Sequence, residues 1–141
     1  MTGHYGQESL CILVIDDNCD AADVLGMLLR MLGHTVHTAH SGAMGLDQIE
    51  SIHPDLIFLD LGMPNIDGYE VARRVRQNPK LTDTRVIAVT GFVDQRRRDL
   101  AAEAGFDDYL IKPTNVNQLQ EVIGRTRDLL VKNGQSPHSH C

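Results

Sequence analysis

The side chains with which this chain could do chemistry are acidic, hydroxyl and basic groups that each end or follow a short apolar run. In chain order they are Asp16, Asp17, Asp60, Thr90 and Lys112. Three carboxylates held close together repel one another, and their pKa values rise unless a cation joins them. A hard divalent cation with oxygen ligands, above all Mg²⁺, would remove that repulsion. Lysine and threonine could then bind the oxygens of a phosphoryl group, so the pattern predicts a site for phosphoryl transfer.

Five apolar runs predict the strands that would bring these groups together. They cover residues 10–15, 35–39, 56–59, 86–89 and 109–111. The runs are nearly continuous rather than alternating, which is typical of strands covered on both faces in a parallel sheet. Because ligands bind beyond the carboxyl ends of the strands in such sheets, we expect the polar groups to meet at that edge.

Segments with helical spacing follow each run and predict five helices. The first carries an apolar stripe that should face the core, made of Val24, Leu25, Leu28, Leu29 and Leu32. Five strands that alternate with five helices predict a parallel sheet with right-handed crossovers, a three-layer α/β sandwich. The alternative, an α+β domain, needs hairpin turns, and no Asn-Gly or Asp-Gly pair joins two of the runs.

Composition limits the function classes. The chain has 141 residues, of which 42% are hydrophobic and 23% charged, as in an ordinary single globular domain. Its formal net charge of −6 argues against binding nucleic acid or anionic membranes by general electrostatics. No run is long enough to cross a bilayer, and the first residues lack the pattern of a signal peptide, so we expect a cytoplasmic protein. Flexible tails are expected at residues 1–9 and 132–141, on either side of one domain at residues 10–131.

Four motifs carry a family resemblance. They are Val14-Ile15-Asp16-Asp17-Asn18, Leu59-Asp60-Leu61-Gly62-Met63-Pro64-Asn65-Ile66-Asp67-Gly68, Val89-Thr90-Gly91 and Tyr109-Leu110-Ile111-Lys112-Pro113. In this order and at this spacing, the series resembles the CheY-like receiver domain of two-component response regulators. The resemblance implies a flavodoxin-like (βα)5 fold with a five-stranded parallel sheet of order 2-1-3-4-5.

The resemblance also implies a metal-dependent acceptor of phosphoryl groups. Asp60 would be the phosphoacceptor and would take the group from a phosphohistidine on a partner. Asp17, Asp60 and the backbone carbonyl of Gly62 would bind Mg²⁺, for which Mn²⁺ could substitute, and Asp16 would assist through a water molecule.

A conformational switch is the second implication. Lys112 would pair with the phosphoryl oxygens, and its peptide bond to Pro113 would be cis. Thr90 would move toward the phosphoryl group and Tyr109 would change rotamer with it. Phosphorylation adds roughly −1.5 to −2 charges and new acceptor oxygens, which would pull a hydroxyl and its loop inward.

The expected partners are a sensor histidine kinase or a histidine phosphotransfer protein, together with a downstream protein bound by the fourth helix, fifth strand and fifth helix. No direct binding to nucleic acid or membrane is expected. The run Arg96-Arg97-Arg98 on the fourth helix is either a solvated face or part of this partner surface. His34, His37 and His40 are expected at the surface.

Several alternatives stay open. The domain could act as a phosphorelay shuttle within a hybrid kinase rather than as a regulator of its own partner. A phosphohydrolase with an aspartyl-phosphate intermediate, of the haloacid dehalogenase type, would need a second aspartate where this chain has Gly62, so we expect no enzyme beyond self-phosphorylation and self-dephosphorylation. A flavin carrier would need a phosphate-binding loop rich in Gly, Ser or Thr in place of Asp16-Asp17-Asn18.

Overall fold

The computed structural model describes residues 9–92 and 94–134. Its elements are β1 (Cys11–Ile15), α1 (Cys19–Met31), β2 (Thr35–Ala39), α2 (Gly42–Ile52), β3 (Leu56–Asp60), α3 (Gly68–Gln77), a 3-10 helix (Pro79–Leu81), β4 (Arg85–Thr90), α4 (Gln95–Ala104), β5 (Asp108–Ile111) and α5 (Val116–Lys132). The strands form one parallel sheet in the order β2-β1-β3-β4-β5. The predicted α/β fold with strand order 2-1-3-4-5 is confirmed.

Two apolar cores cover the two faces of the sheet. Ile12 and Val14 of β1 belong to the core beneath α1 and α5. Leu13 and Ile15 belong to the core beneath α2, α3 and α4, because successive side chains of a strand point to opposite faces. All five residues of β1 are buried, which explains why its apolar run is continuous.

Side-chain caps determine where the helices begin. The Ser41 hydroxyl accepts a hydrogen bond from the backbone N–H of Met44 at 3.1 Å, and an Asp67 carboxylate oxygen accepts one from Glu70 N–H at 3.0 Å. Such caps satisfy amide groups that have no partner within the helix. Asp67 therefore begins α3 a short distance after Asp60 leaves the sheet.

Two expectations about burial are wrong. Val24 is 58% exposed, whereas Leu25 and Leu29 are buried. Neighbouring helical positions differ by about 100°, so the side chains at 24 and 25 cannot both point at the sheet. His34 is buried rather than at the surface, because its Nδ1 accepts a hydrogen bond from the backbone N–H of Leu10 at 3.0 Å.

The buried imidazole of His34 is held in its neutral form. Burial, together with the positive charge of Arg127, lowers the pKa of His34 to about 4. His37 and His40 are half-buried. Within residues 9–92 and 94–134, no helix is both long and apolar enough to span a membrane.

Candidate functional site

Three carboxylates meet where β1 and β3 end. The two strands are neighbours, with Ile15 paired to Leu59, so the residues that follow them emerge side by side. Asp16, Asp17 and Asp60 each place a carboxylate oxygen within 4.8 Å of the others. Asp16 is buried, Asp60 half-buried and Asp17 exposed, so the cluster opens to solvent on one side. The three carboxylates therefore meet at the carboxyl edge of the sheet, as the ends of the strands predict.

Lys112 reaches the same cluster from the loop after β5. Its Nζ lies 2.8 Å from Asp16 Oδ2 and 3.9 Å from Asp60 Oδ1. The Lys112–Pro113 peptide bond is cis, the isomer that the resemblance implies. In this structure the ammonium group therefore forms its close ion pair with Asp16, and Asp60 is its more distant neighbour.

The environment of Asp60 disfavours its ionised form. Burial, followed by the negative charge of Asp16, raises the pKa of Asp60 to about 6. Lys112 acts in the opposite direction, as does the backbone N–H of Gly62, which donates to Asp60 Oδ1 at 3.4 Å. One nearby lysine thus does not fully offset the burial and the repulsion, so the site favours a second cation.

Replacing Asp60 by Asn is expected to stabilise the metal-free protein above about pH 6. The pKa of Asp60 rises from 3.8 to about 6 on folding, so the folded state binds more protons between these values. The wild-type free energy of unfolding then falls by on the order of 3 kcal/mol as pH rises through this interval. The asparagine variant has no carboxyl at this position and does not show this loss. Urea denaturation of the wild type and of Asp60→Asn, in EDTA at several pH values, measures this difference in the free energy of unfolding.

Asp47→Asn is the matched control, because it makes the same change at an exposed carboxylate on α2. Its free energy of unfolding should follow the wild-type pH dependence. Equal pH dependence of the Asp60→Asn variant and the wild type would contradict the raised pKa.

The two expected switch residues lie on β4 and β5 and contact α4 or the loop before it. Thr90 ends β4 and is 8% exposed. Its hydroxyl donates a hydrogen bond to the Phe92 carbonyl oxygen at 3.2 Å. Tyr109 is half-buried on β5, and the guanidinium carbon of Arg98 lies 5.0 Å from the centroid of its ring. The contact of Arg98 with Tyr109 was not predicted from the sequence, in which the run of arginines on the fourth helix is its one signal.

An open cavity of about 550 Å³ lies between α1 and the loop after β5. Leu25, Leu28 and Phe58 contribute to its apolar wall, and Asp60 and Lys112 also line it. This cavity was not predicted from the sequence. Val24 also lines the cavity, and with Met27 and Met31 it forms an exposed apolar stripe on α1.

Comparison with known proteins decides the family. Residues 12–124 match the family described as the response regulator receiver domain. The chain belongs to this family. The match lies inside the domain predicted at residues 10–131, and most of both predicted tails, residues 1–8 and 135–141, lies outside the described residues.

Relatives of this receiver domain include a regulator and two solved receivers. Over 128 residues it is 34% identical to the DNA-binding dual master transcriptional regulator RpaA of Synechocystis, a match that covers 91% of this chain and 52% of RpaA. The chain thus spans about half the length of that curated relative. A CheY-like receiver from Methanospirillum hungatei superposes with a TM-score of 0.81 at 28% identity, covering 90% of this chain and all of that one.

The second solved relative is the receiver domain of a sensor histidine kinase from Pseudomonas aeruginosa. It has a TM-score of 0.78 and 30% identity, and the match covers 86% of this receiver domain and 99% of that chain. That crystal structure contains a magnesium ion in its active-site cleft. Together with the fold, these likenesses confirm the CheY-like receiver.

Proposed function

We propose that this receiver domain accepts a phosphoryl group on Asp60 from the phosphohistidine of a sensor histidine kinase or a histidine phosphotransfer protein. The observation that carries the proposal is the position of Asp60 beside two carboxylates and Lys112. A carboxylate oxygen of Asp60 attacks phosphorus, and an acyl phosphate forms. The bond between phosphorus and the histidine nitrogen breaks, and the imidazole keeps the electron pair and takes up a proton.

The donor set of the site fits Mg²⁺, or Mn²⁺ in its place. Asp17, Asp60 and the backbone carbonyl of Gly62 would bind the ion directly, with Asp16 acting through water. The raised pKa of Asp60 supports this assignment, since clustered carboxylates that lack a cation hold their protons. When bound, Mg²⁺ supplies positive charge that offsets the repulsion and binds phosphoryl oxygens.

Lys112 and Thr90 would respond to the phosphoryl group. Lys112 Nζ stands 3.9 Å from Asp60 Oδ1, so oxygens added there come within its reach. The Thr90 hydroxyl would exchange the Phe92 carbonyl for a phosphoryl oxygen, and Tyr109 would change rotamer with that movement. The output surface, made of α4, β5 and α5, then binds a downstream protein partner.

The phosphoryl donor would dock against α1. Val24, Met27 and Met31 form an exposed apolar patch on this helix, and Val24 also lines the cavity that reaches Asp60. A helical partner that presents a phosphohistidine could bury this patch while its imidazole approaches Asp60.

The domain could pass its phosphoryl group on in a phosphorelay or regulate a partner directly. The P. aeruginosa relative is part of a histidine kinase, which favours a phosphorelay shuttle within a hybrid kinase as the second candidate. RpaA binds DNA, but the net charge of −6 favours a protein partner for this chain.

With Gly62 where a phosphohydrolase of the haloacid dehalogenase type has an aspartate, the domain would catalyse only its own phosphorylation and dephosphorylation. Its location would be the cytoplasm, where a kinase that uses ATP delivers the phosphoryl group.

Incubation with acetyl phosphate tests the chemistry. In Mg²⁺ the intact mass is expected to rise by one phosphoryl group, whereas excess EDTA should prevent the adduct, because the carboxylates then repel the phosphodonor. The exposed-site variant Asp47→Asn should behave like the wild type. A protein that binds Mg²⁺ yet forms no adduct would contradict the proposal.

A further inference from the structure

Two neighbouring arginines of α4 stack on aromatic rings, one of which, Tyr109, belongs to the proposed switch. The Arg98 guanidinium carbon lies 5.0 Å from the ring centroid of Tyr109, and that of Arg97 lies 4.8 Å from the ring centroid of Phe92. A guanidinium group over an aromatic face within about 6 Å is attracted by the ring electrons. Each arginine therefore holds one ring.

These two rings are connected to Thr90. The backbone carbonyl of Phe92 accepts the Thr90 hydroxyl hydrogen bond, so fixing Phe92 also fixes the partner of that hydroxyl. β4 and β5 are paired, with Thr90 opposite Ile111, two residues beyond Tyr109. Movement of the Thr90 hydroxyl toward Asp60 would therefore break its hydrogen bond to Phe92, at the end of a strand that is paired with the strand carrying Tyr109.

The cap at the start of α4 also holds the Arg97 side chain. Asp94 caps the helix and accepts a hydrogen bond from the Arg97 backbone N–H at 2.8 Å. Its second carboxylate oxygen accepts a hydrogen bond from Arg97 Nη1 at 3.1 Å. The guanidinium group of Arg97 is therefore oriented by its own helix cap while it covers Phe92.

We infer that Arg98 is a positioning residue which, with Arg97, holds the switch in its unphosphorylated conformation. In this inference, the rotamer change of Tyr109 moves its ring away from the Arg98 guanidinium, whose carbon lies 5.0 Å from the ring centroid in this structure. Phosphorylation must break this stacking, so Arg98 lowers the population of the phosphorylated-like conformation in the resting protein. The inference rests on the proposed function, in which Thr90 and Tyr109 form the switch.

Arg96 provides a control for charge. It lies on the same helix, is exposed, and within the described part of the chain we find no aromatic ring beneath it. Arg96→Gln removes the same charge as Arg98→Gln but leaves the Tyr109 contact in place. Arg98→Lys keeps the charge, and we expect it to restore part of the contact.

The first readout is the environment of the Tyr109 ring in the unphosphorylated protein. The chain has three tyrosines, Tyr5, Tyr69 and Tyr109. Incorporation of 3-fluorotyrosine therefore yields few ¹⁹F NMR signals, and Tyr109→Phe assigns the one that matters. Arg98→Gln is expected to shift the Tyr109 signal, and Arg96→Gln is expected to leave it unchanged.

The second readout is the rate of adduct formation with acetyl phosphate and Mg²⁺. Loss of one exposed cation–π contact should raise this rate by about two- to fivefold, because the competent conformation becomes more populated. The Arg98→Lys rate should lie between those of wild type and Arg98→Gln.

The results separate this inference from the proposed function. A specific Tyr109 shift together with a faster rate supports the inference. Equal signals and equal rates in Arg98→Gln and Arg96→Gln overturn it, and so does a shift without a change in rate. A wild-type protein that forms no adduct contradicts the proposed function itself, and the switch role of Arg98 is overturned with it.

Discussion

Replacing Asp60 with asparagine is expected to abolish the phosphoryl adduct, whatever the Mg²⁺ concentration. The amide has nearly the shape of the carboxylate but is a much weaker nucleophile, so the site persists without its acceptor. Asp16 and Asp17 should not accept the phosphoryl group in place of Asp60. Asp16 Oδ2 is paired with Lys112 at 2.8 Å, and its Oδ1 accepts the backbone N–H of Asn18 at 3.0 Å.

Asp16→Asn should behave differently. Asp16 is proposed to act on the metal through water, and loss of such an outer ligand typically lowers metal affinity by about 10- to 100-fold. Higher Mg²⁺ should therefore restore adduct formation in this variant, as measured by intact mass over a Mg²⁺ titration. A phosphoryl adduct on Asp60→Asn at any Mg²⁺ concentration would show that another residue is the acceptor.

Gly68→Ala is expected to destabilise the protein at the edge of the site. Gly68 is the first residue of α3, where it packs against the backbone of β3 as that strand ends. A Cβ at this position would overlap the carbonyl oxygen of Asp60 and lie 2.9 Å from the Leu61 Cα. Both atoms belong to the backbone and cannot rotate away, so the helix or the strand end must shift.

We expect this shift to lower the free energy of unfolding by about 1–3 kcal/mol, the usual cost of overpacking a well-packed site. Urea denaturation at neutral pH measures it. Adduct formation should also slow, because the displaced backbone carries the phosphoacceptor.

Gly124→Ala is the matched control for Gly68→Ala. Gly124 also lies in a helix, α5, but a Cβ there would meet nothing within 4 Å. Alanine is preferred over glycine in helices, so this variant should be stabilised by about 0.5–1 kcal/mol. A Gly68→Ala protein as stable as Gly124→Ala would contradict the predicted overlap.

Most of the fold follows from local sequence patterns. The continuous apolar run at residues 10–15 predicts a strand covered on both faces, and every residue of β1 is buried. Ser41 and Asp67 are residue types that favour the position before a helix, and they cap α2 and α3 because a side-chain oxygen satisfies nearby backbone amides. These interactions join residues close in sequence, so they can be read without the tertiary structure.

The composition of the acidic cluster is also determined by the sequence. Once parallel strands are predicted, their carboxyl ends share one edge, and Asp16, Asp17 and Asp60 must approach one another. The assignment of roles within the cluster came from the family resemblance, since residue types alone do not distinguish an acceptor from a metal ligand.

Only the tertiary structure decided which charged group meets which. Lys112 and Asp16 are 96 residues apart, and their 2.8 Å ion pair depends on how β1 and the loop after β5 pack together. The pKa of Asp60, the burial of His34 and the stacking of Arg98 on Tyr109 depend on the same kind of distant packing. A sequence pattern determines which face of an element is apolar, but these contacts depend on distances of a few ångströms between side chains of different elements. Electrostatic and stacking energies change steeply over such distances, so they are established only when the chain is folded.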